Sequence, residues 1–165
     1  MLTYGGPPGE DLTKQTFLTH ISSSMSFNAR VKAGKYDLVD RKKVTRVHFP
    51  FKEEKIDREL TITFLQFEGS KRAEEVLRIF RSRGLRPVTI VELLALGAEH
   101  PELQRQGTFI ALGSLWLKGR RPQHGVSPGD LFAPCLTGNE NVRFLSAIIV
   151  CEGLDAKNYY AVTEI

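Results

Sequence analysis

The stretch from residue 70 to residue 99 constrains this chain most, because it holds two helices with almost nothing between them. Ser70 follows Gly69 and suits an N-cap. Ala73, Val76, Leu77 and Phe80 then fall at i, i+3, i+4 and i+7, one apolar stripe of a helix. Glu74 and Arg78 make a favourable i,i+4 pair on the other side. Arg81 and Arg83 suit the negative end of the helix dipole, and Gly84 supplies the stop. Thr89 and Glu92 then form a T-x-x-E capping box, with Val88 and Leu93 at the staple positions. Ile90, Leu93 and Leu94 give the buried face of this second helix, and Gly97 its predicted end. Pro101 opens a further short turn over 100–105.

Two such helices need a sheet to bury their stripes, and the flanking segments supply strand patterns. The run RELTITFLQF alternates, with Leu60, Ile62 and Phe64 on one side and Thr61, Thr63 and Leu65 on the other. Val44 to Phe51 reads as a strand that ends at Pro50. Thr108 to Leu117 is apolar on both faces, as in a central strand. Leu131 to Leu136, Val142 to Cys151 and Asn158 to Thr163 complete the set, with TGNEN at 137–141 as a turn. A short helix is expected within 26–38, ending at Gly34. Residues 1–25 read as a flexible tail, because Gly5, Gly6, Pro7, Pro8 and Gly9 suit no regular element and Ser22-Ser23-Ser24 reads as a linker. Residues 26–165 then form a single α+β domain: two consecutive helices packed on a mostly antiparallel sheet. A chain of 165 residues can bury a core of its own without staples.

Charge is unevenly spread. The net charge is +4, yet residues 28–46 hold seven basic side chains against Asp37 and Asp40. Residues 71–86 hold six against Glu74 and Glu75, and Lys118, Arg120 and Arg121 add a third cluster. Such asymmetry suits an anionic partner. No apolar run reaches membrane-spanning length, no secretory leader pattern opens the chain, and Cys135 and Cys151 are too few for a disulfide scaffold. These features point to a soluble, cytoplasmic protein that does not enter membranes.

The order of parts carries a resemblance. The segment Gly84-Leu85-Arg86-Pro87-Val88-Thr89-Ile90-Val91-Glu92-Leu93-Leu94 resembles the G-x-R-L-P-T-x-x-E-L segment of bacterial C-type-lectin-like domains, with Arg86-Pro87-Val88-Thr89 where that segment has Leu-Pro-Thr. Ser114-Leu115-Trp116 and Ile148-Ile149-Val150-Cys151 stand near two later patterns of those domains. The chain also resembles a group of small bacterial proteins with no assigned activity. The shared segments are Ala33 to Asp37, His48 to Pro50, Gly84 to Gly97, Pro101 to Arg105 and Ala111 to Trp116. The C-type-lectin-like resemblance implies a ligand face on the late loops, residues 118–130 and 137–141.

No segment spells a known chemistry. The four histidines lack zinc-ligand spacing. Gly113-Ser114 lacks the glycine of a nucleophile elbow. The prolines of the Gly5–Gly9 run remove the amides a phosphate loop would need. No cofactor or metal is therefore expected, and the first reading is a non-enzymatic binding module. Its ligand would be a protein, peptide or glycan-like molecule met by Trp116, Arg120, Arg121, His124, Asn139 and Asn141. The second reading is a basic nucleic-acid or ribonucleoprotein accessory protein using Arg41, Lys42, Lys43, Arg46, Lys71 and Arg72, which requires those clusters to share one face. The third is an enzyme of unrecognised type.

Overall fold

The computed structural model describes residues 11–119, 130–151, 153 and 155–165. In chain order it contains β1 (Phe17–Ile21), α1 (Phe27–Ala33), β2 (Leu38–Val39), β3 (Arg58–Leu65), α2 (Ala73–Ser82), β4 (Leu85–Pro87) and α3 (Ile90–Glu99). β5 (Phe109–Ile110), β6 (Trp116–Leu117), β7 (Leu131–Gly138), β8 (Arg143–Ile149) and β9 (Tyr159–Glu164) follow. The strands form one sheet in the order β1-β3-β9-β5-β7-β8-β2, with β4 beside β9 and β6 beside β7. Only β2 with β8 and β5 with β9 run parallel. The expected α+β class with a mostly antiparallel sheet is what forms. Among the described residues no helix is long and apolar enough to cross a membrane.

Period-2 alternation divides the core into two halves. Phe132 and Leu136 of β7 and Ala161 of β9 join the half that receives α1 and α3. Ala133 and Cys135 of β7 and Tyr160 and Val162 of β9 join the half that receives α2. The two consecutive helices therefore lie on opposite faces of the sheet rather than side by side. Their connection is not a bare turn, because β4 pairs with the end of β9 (Leu85↔Glu164, Pro87↔Val162) and carries the chain across. Gly84 has φ of 69° and turns the chain out of α2, a conformation glycine adopts without strain. The cap of α2 falls at Arg72, whose amide donates to Glu75 Oε2 at 3.0 Å, rather than at Ser70.

Four expectations need correction. The tail ends well before residue 25: residues 17–21 form β1, with Phe17, Thr19 and Ile21 buried and Phe17 paired with Ile62. Glycine and proline punctuation stops at residue 9, and past it the F-x-T-x-I alternation decides. Both ring nitrogens of His20 are engaged, Nε2 with Glu59 at 2.9 Å and Nδ1 with Glu99 at 3.2 Å, which ties this edge strand to α3. Residues 1–10 lie outside the described residues.

Val44 to Phe51 is a series of turns, not a strand. The Asp40 carboxylate accepts the amides of Lys42 and Lys43, and Thr45 Oγ1 accepts the His48 amide. Short polar side chains thus capture the backbone before it can join a ladder. Thr108 to Leu117 is broken into β5 and β6 by a turn at 112–113, so only its ends pair with β7. Gly97 lies inside α3 rather than ending it. A Cβ there would run into the Tyr36 hydroxyl, and Leu136 Cδ1 would stand at 3.0 Å. Glycine is therefore placed for close approach, at a helix-propensity cost of about 1 kcal/mol.

Candidate binding groove

A broad concavity follows from α1. Ser26 caps it by accepting the Ala29 amide at 3.2 Å. Its apolar stripe, Phe27 and Val31, turns inward against the first half of the core. The chain then reverses at Gly34, where the Tyr36 ring passes so close that no side chain fits. Arg143 locks this reversal. Its Nη1 donates to the Gly34 carbonyl at 2.6 Å, its Nη2 to the Gly97 carbonyl at 2.8 Å, and its guanidinium lies 5.1 Å over the Tyr36 ring. Burial pushes the Tyr36 hydroxyl well above its ordinary pKa, with Arg143 acting in the opposite direction.

Between α1, β2 and the turns at 40–46 lies an open groove of 870 Å³. Phe27, Val31, Tyr36, Val39 and Val44 give it an apolar floor. Lys32, Lys35, Arg41 and Arg46 stand around that floor, and no carboxylate lines it among the described residues. Arg46 is paired with Glu53 at 3.1 Å, whereas Lys32, Lys35 and Arg41 have no ion-pair partner among the described residues. Like charges crowded over a low-dielectric floor raise the local concentration of anions, an effect that salt screens.

A recess of 240 Å³ adjoins the groove and shares Ser26, Phe27 and Arg46 with it. Arg30 forms part of its wall and is buried. Near it, Glu92 lies buried at the start of α3 and accepts from three sides. Arg86 donates through both Nη atoms at 3.0 and 2.8 Å, Arg58 Nη2 donates at 3.0 Å, and the Thr89 amide donates at 2.8 Å. Burial alone would raise the Glu92 carboxyl, but the Arg86 hydrogen bond, the Thr89 amide and the Arg58 hydrogen bond outweigh it and hold the group below its ordinary range.

The residues expected at a late-loop site are scattered or engaged. One face of Trp116 is covered by His48, stacked at 3.6 Å and 7°, and Phe132 stacks at 5.1 Å. The Asn139 carboxamide oxygen accepts the amides of Asn141 and Val142, closing its own turn, while Asn141 is exposed. Arg120, Arg121 and His124 lie outside the described residues. Of the second set, Arg41 and Arg46 line the groove, Lys42 is exposed beside them, and Lys43 pairs with Asp40 at 3.4 Å. Lys71 and Arg72 lead into α2 on the opposite face of the sheet, so the two basic clusters do not merge.

The positive charge at 28–46 is visible in the sequence, but the apolar floor beneath it is not. One signal was present: Arg30 falls at i+3 from Phe27 and beside Val31, within the apolar stripe of α1. Among the described residues no group of three His, Cys, Asp or Glu side chains is placed to hold a metal ion. Both cysteines are free thiols, and burial pushes the pKa of Cys135 up to about 12. Comparison with family models, with curated proteins and with solved structures returned no match.

Proposed function

We propose that this chain is a non-enzymatic binding module whose ligand is an acidic, partly apolar peptide segment of another protein, received in the groove between α1 and the 40–46 turns. One observation carries the reading: among the described residues, four cations and no carboxylate line a groove whose floor is apolar. A peptide alternating acidic and apolar side chains matches both features, since its apolar residues cover the floor while its carboxylates meet the rim. A nucleic-acid strand matches the charge but not the floor. Phe27 is buried against Phe51, and Tyr36 lies beneath Arg143, so neither ring is free to stack on a base. Two free thiols and the absence of a long apolar helix among the described residues are compatible with a cytoplasmic setting.

The test is fluorescence anisotropy with a labelled, end-blocked eight-residue peptide of alternating leucine and glutamate. Controls are its leucine–glutamine counterpart and a labelled single-stranded oligonucleotide. The acidic peptide is expected to bind, and more weakly as salt rises. Lys32→Glu combined with Arg41→Glu is expected to weaken it about tenfold at low salt, because reversal replaces attraction with repulsion at two points of the rim. Both side chains are exposed, so the fold is expected to tolerate the change. Tighter binding of the oligonucleotide, or equal binding by the charge-reversed variant, would overturn the reading.

A further inference from the structure

The recess beside the groove has a buried guanidinium with an unmatched donor in its wall. Arg30 is only 4% exposed. Its Nη2 donates to the Ser22 carbonyl at 2.6 Å, but its buried Nε–H has no acceptor among the described residues. Leaving such a donor unsatisfied is costly, and more so when it belongs to a charged group. The neighbouring carboxylates are already taken. Glu54 accepts Arg58 Nε and Nη2 at 3.1 and 2.8 Å, Glu53 accepts Arg46, and Glu92 accepts Arg58 and Arg86. Arg46 pairs with Glu53, and Arg58 with Glu54 and Glu92, which leaves Arg30, the most buried of these arginines, with no ion-pair partner among the described residues. Asp57 is exposed and accepts the amide and hydroxyl of Ser23. Desolvation lowers the pKa of Arg30, with Glu54 opposing, yet a guanidinium stays charged at any ordinary pH.

We propose that the recess is a subsite for a single carboxylate group of the bound peptide, held between Arg30 and Arg46. This rests on the reading of the groove as a peptide site, because recess and groove share Ser26, Phe27 and Arg46. Arg30 offers a single unpaired guanidinium, which suits a monoanionic carboxylate. A phosphate dianion would bring a second negative charge beside Glu53 and Glu54, which also line the recess. A planar carboxylate also suits a guanidinium edge, since its two oxygens can take two parallel N–H donors. The carboxylate comes from an acidic side chain or from a chain terminus, and the test separates the two.

The experiment follows the arginine Nε–H resonances of the whole chain by two-dimensional NMR, with Arg30 assigned by its loss in Arg30→Met. Three probes are titrated at matched ionic strength: the leucine–glutamate peptide with both ends blocked, the same peptide with a free C-terminus, and inorganic phosphate. The Arg30 Nε–H signal is expected to shift on adding peptide. A larger shift with the free C-terminus assigns the subsite to a chain terminus, and equal shifts assign it to a side chain. Arg30→Met and Arg46→Gln are each expected to weaken peptide binding about tenfold, the effect of losing one charge-assisted hydrogen bond. Peptide binding with an unmoved Arg30 signal and unchanged affinity in Arg46→Gln overturns the subsite and leaves the groove reading intact. A larger shift with phosphate overturns the carboxylate assignment. If neither peptide binds, both readings fall. Should Arg30→Met fail to fold, the Arg30 Nε–H is assigned by through-bond correlation to its own backbone, and its shift and the exposed Arg46→Gln variant still decide.

Discussion

Glu92→Ala is expected to cost about 3–5 kcal/mol, the range for removing one partner of a buried ion pair. The Glu92 side chain is 1% exposed and is the single acceptor shared by Arg58, Arg86 and the Thr89 amide. Alanine would leave two guanidinium groups and one amide facing a gap. The low end of the range applies, because Arg58 and Arg86 are 31% and 37% exposed and water can reach part of each. Domains of this size have about 5–15 kcal/mol in total, so the variant would be close to unfolding. Glu92→Gln keeps the volume and one acceptor, and is expected to cost less. The sign with pH follows from the depressed carboxyl. Its folded pKa lies below the unfolded value of about 4.3, so its stabilisation is complete above that pH and is lost as pH falls through the folded value. Urea denaturation of native chain and Glu92→Gln should therefore differ most at neutral pH and converge in acid. An equal gap at both pH values would assign the effect to packing rather than charge.

What was legible in the sequence was local. The α2 stripe, the Thr89–Glu92 box and the alternation of β3 each rest on residues a few positions apart, and each forms; the turn expected at 137–141 forms two residues later, because Thr137 and Gly138 stay in β7. Two causes account for the main failures: contact between distant segments, and capture of nearby amides by short polar side chains. Gly97 looks like a helix stop until Tyr36, far away in sequence, occupies the space its side chain would need. Val44 to Phe51 looks apolar enough for a strand, but Asp40 takes the Lys43 amide just before it and Thr45 takes the His48 amide within it. The groove was half visible. Its cations stand in a run, whereas its floor combines α1, β2 and the 40–46 turns, and only the fold brings these together. Placement of the two basic clusters on opposite faces was not legible at all, since it depends on which half of the core each helix enters.

The start of α3 shows how one motif can be read correctly and still be misjudged, and it supports the second large prediction. Gly113-Ser114 resembled part of a central strand. Instead it completes the helix cap from across the sheet: Ser114 Oγ accepts the Ile90 amide at 2.8 Å, and the Gly113 amide donates to the Val88 carbonyl at 2.9 Å. The two chains approach so closely that a Cβ on Gly113 would collide with the Val88 carbonyl oxygen, with Val88 C at 2.7 Å and Pro87 O at 2.9 Å. Those atoms are backbone, pinned by the ladder between β4 and β9, so they cannot yield as a side chain would. Gly113→Ala is therefore expected to cost about 3 kcal/mol or more. Overpacking a fixed contact contributes about 1–3 kcal/mol, and the two capping hydrogen bonds that open with it contribute about 1 kcal/mol each. Ser114→Ala removes only its own bond and is expected to cost about 1–2 kcal/mol, as for a lost N-cap. Thermal denaturation separates the two variants, and amide exchange locates the damage. Gly113→Ala should lose protection at Ile90 and along β4, because the clash pushes both away from the turn. A Gly113→Ala variant no less stable than Ser114→Ala would mean that the backbone of β4 gives way easily, and that the cap rather than the close approach holds α3 in place.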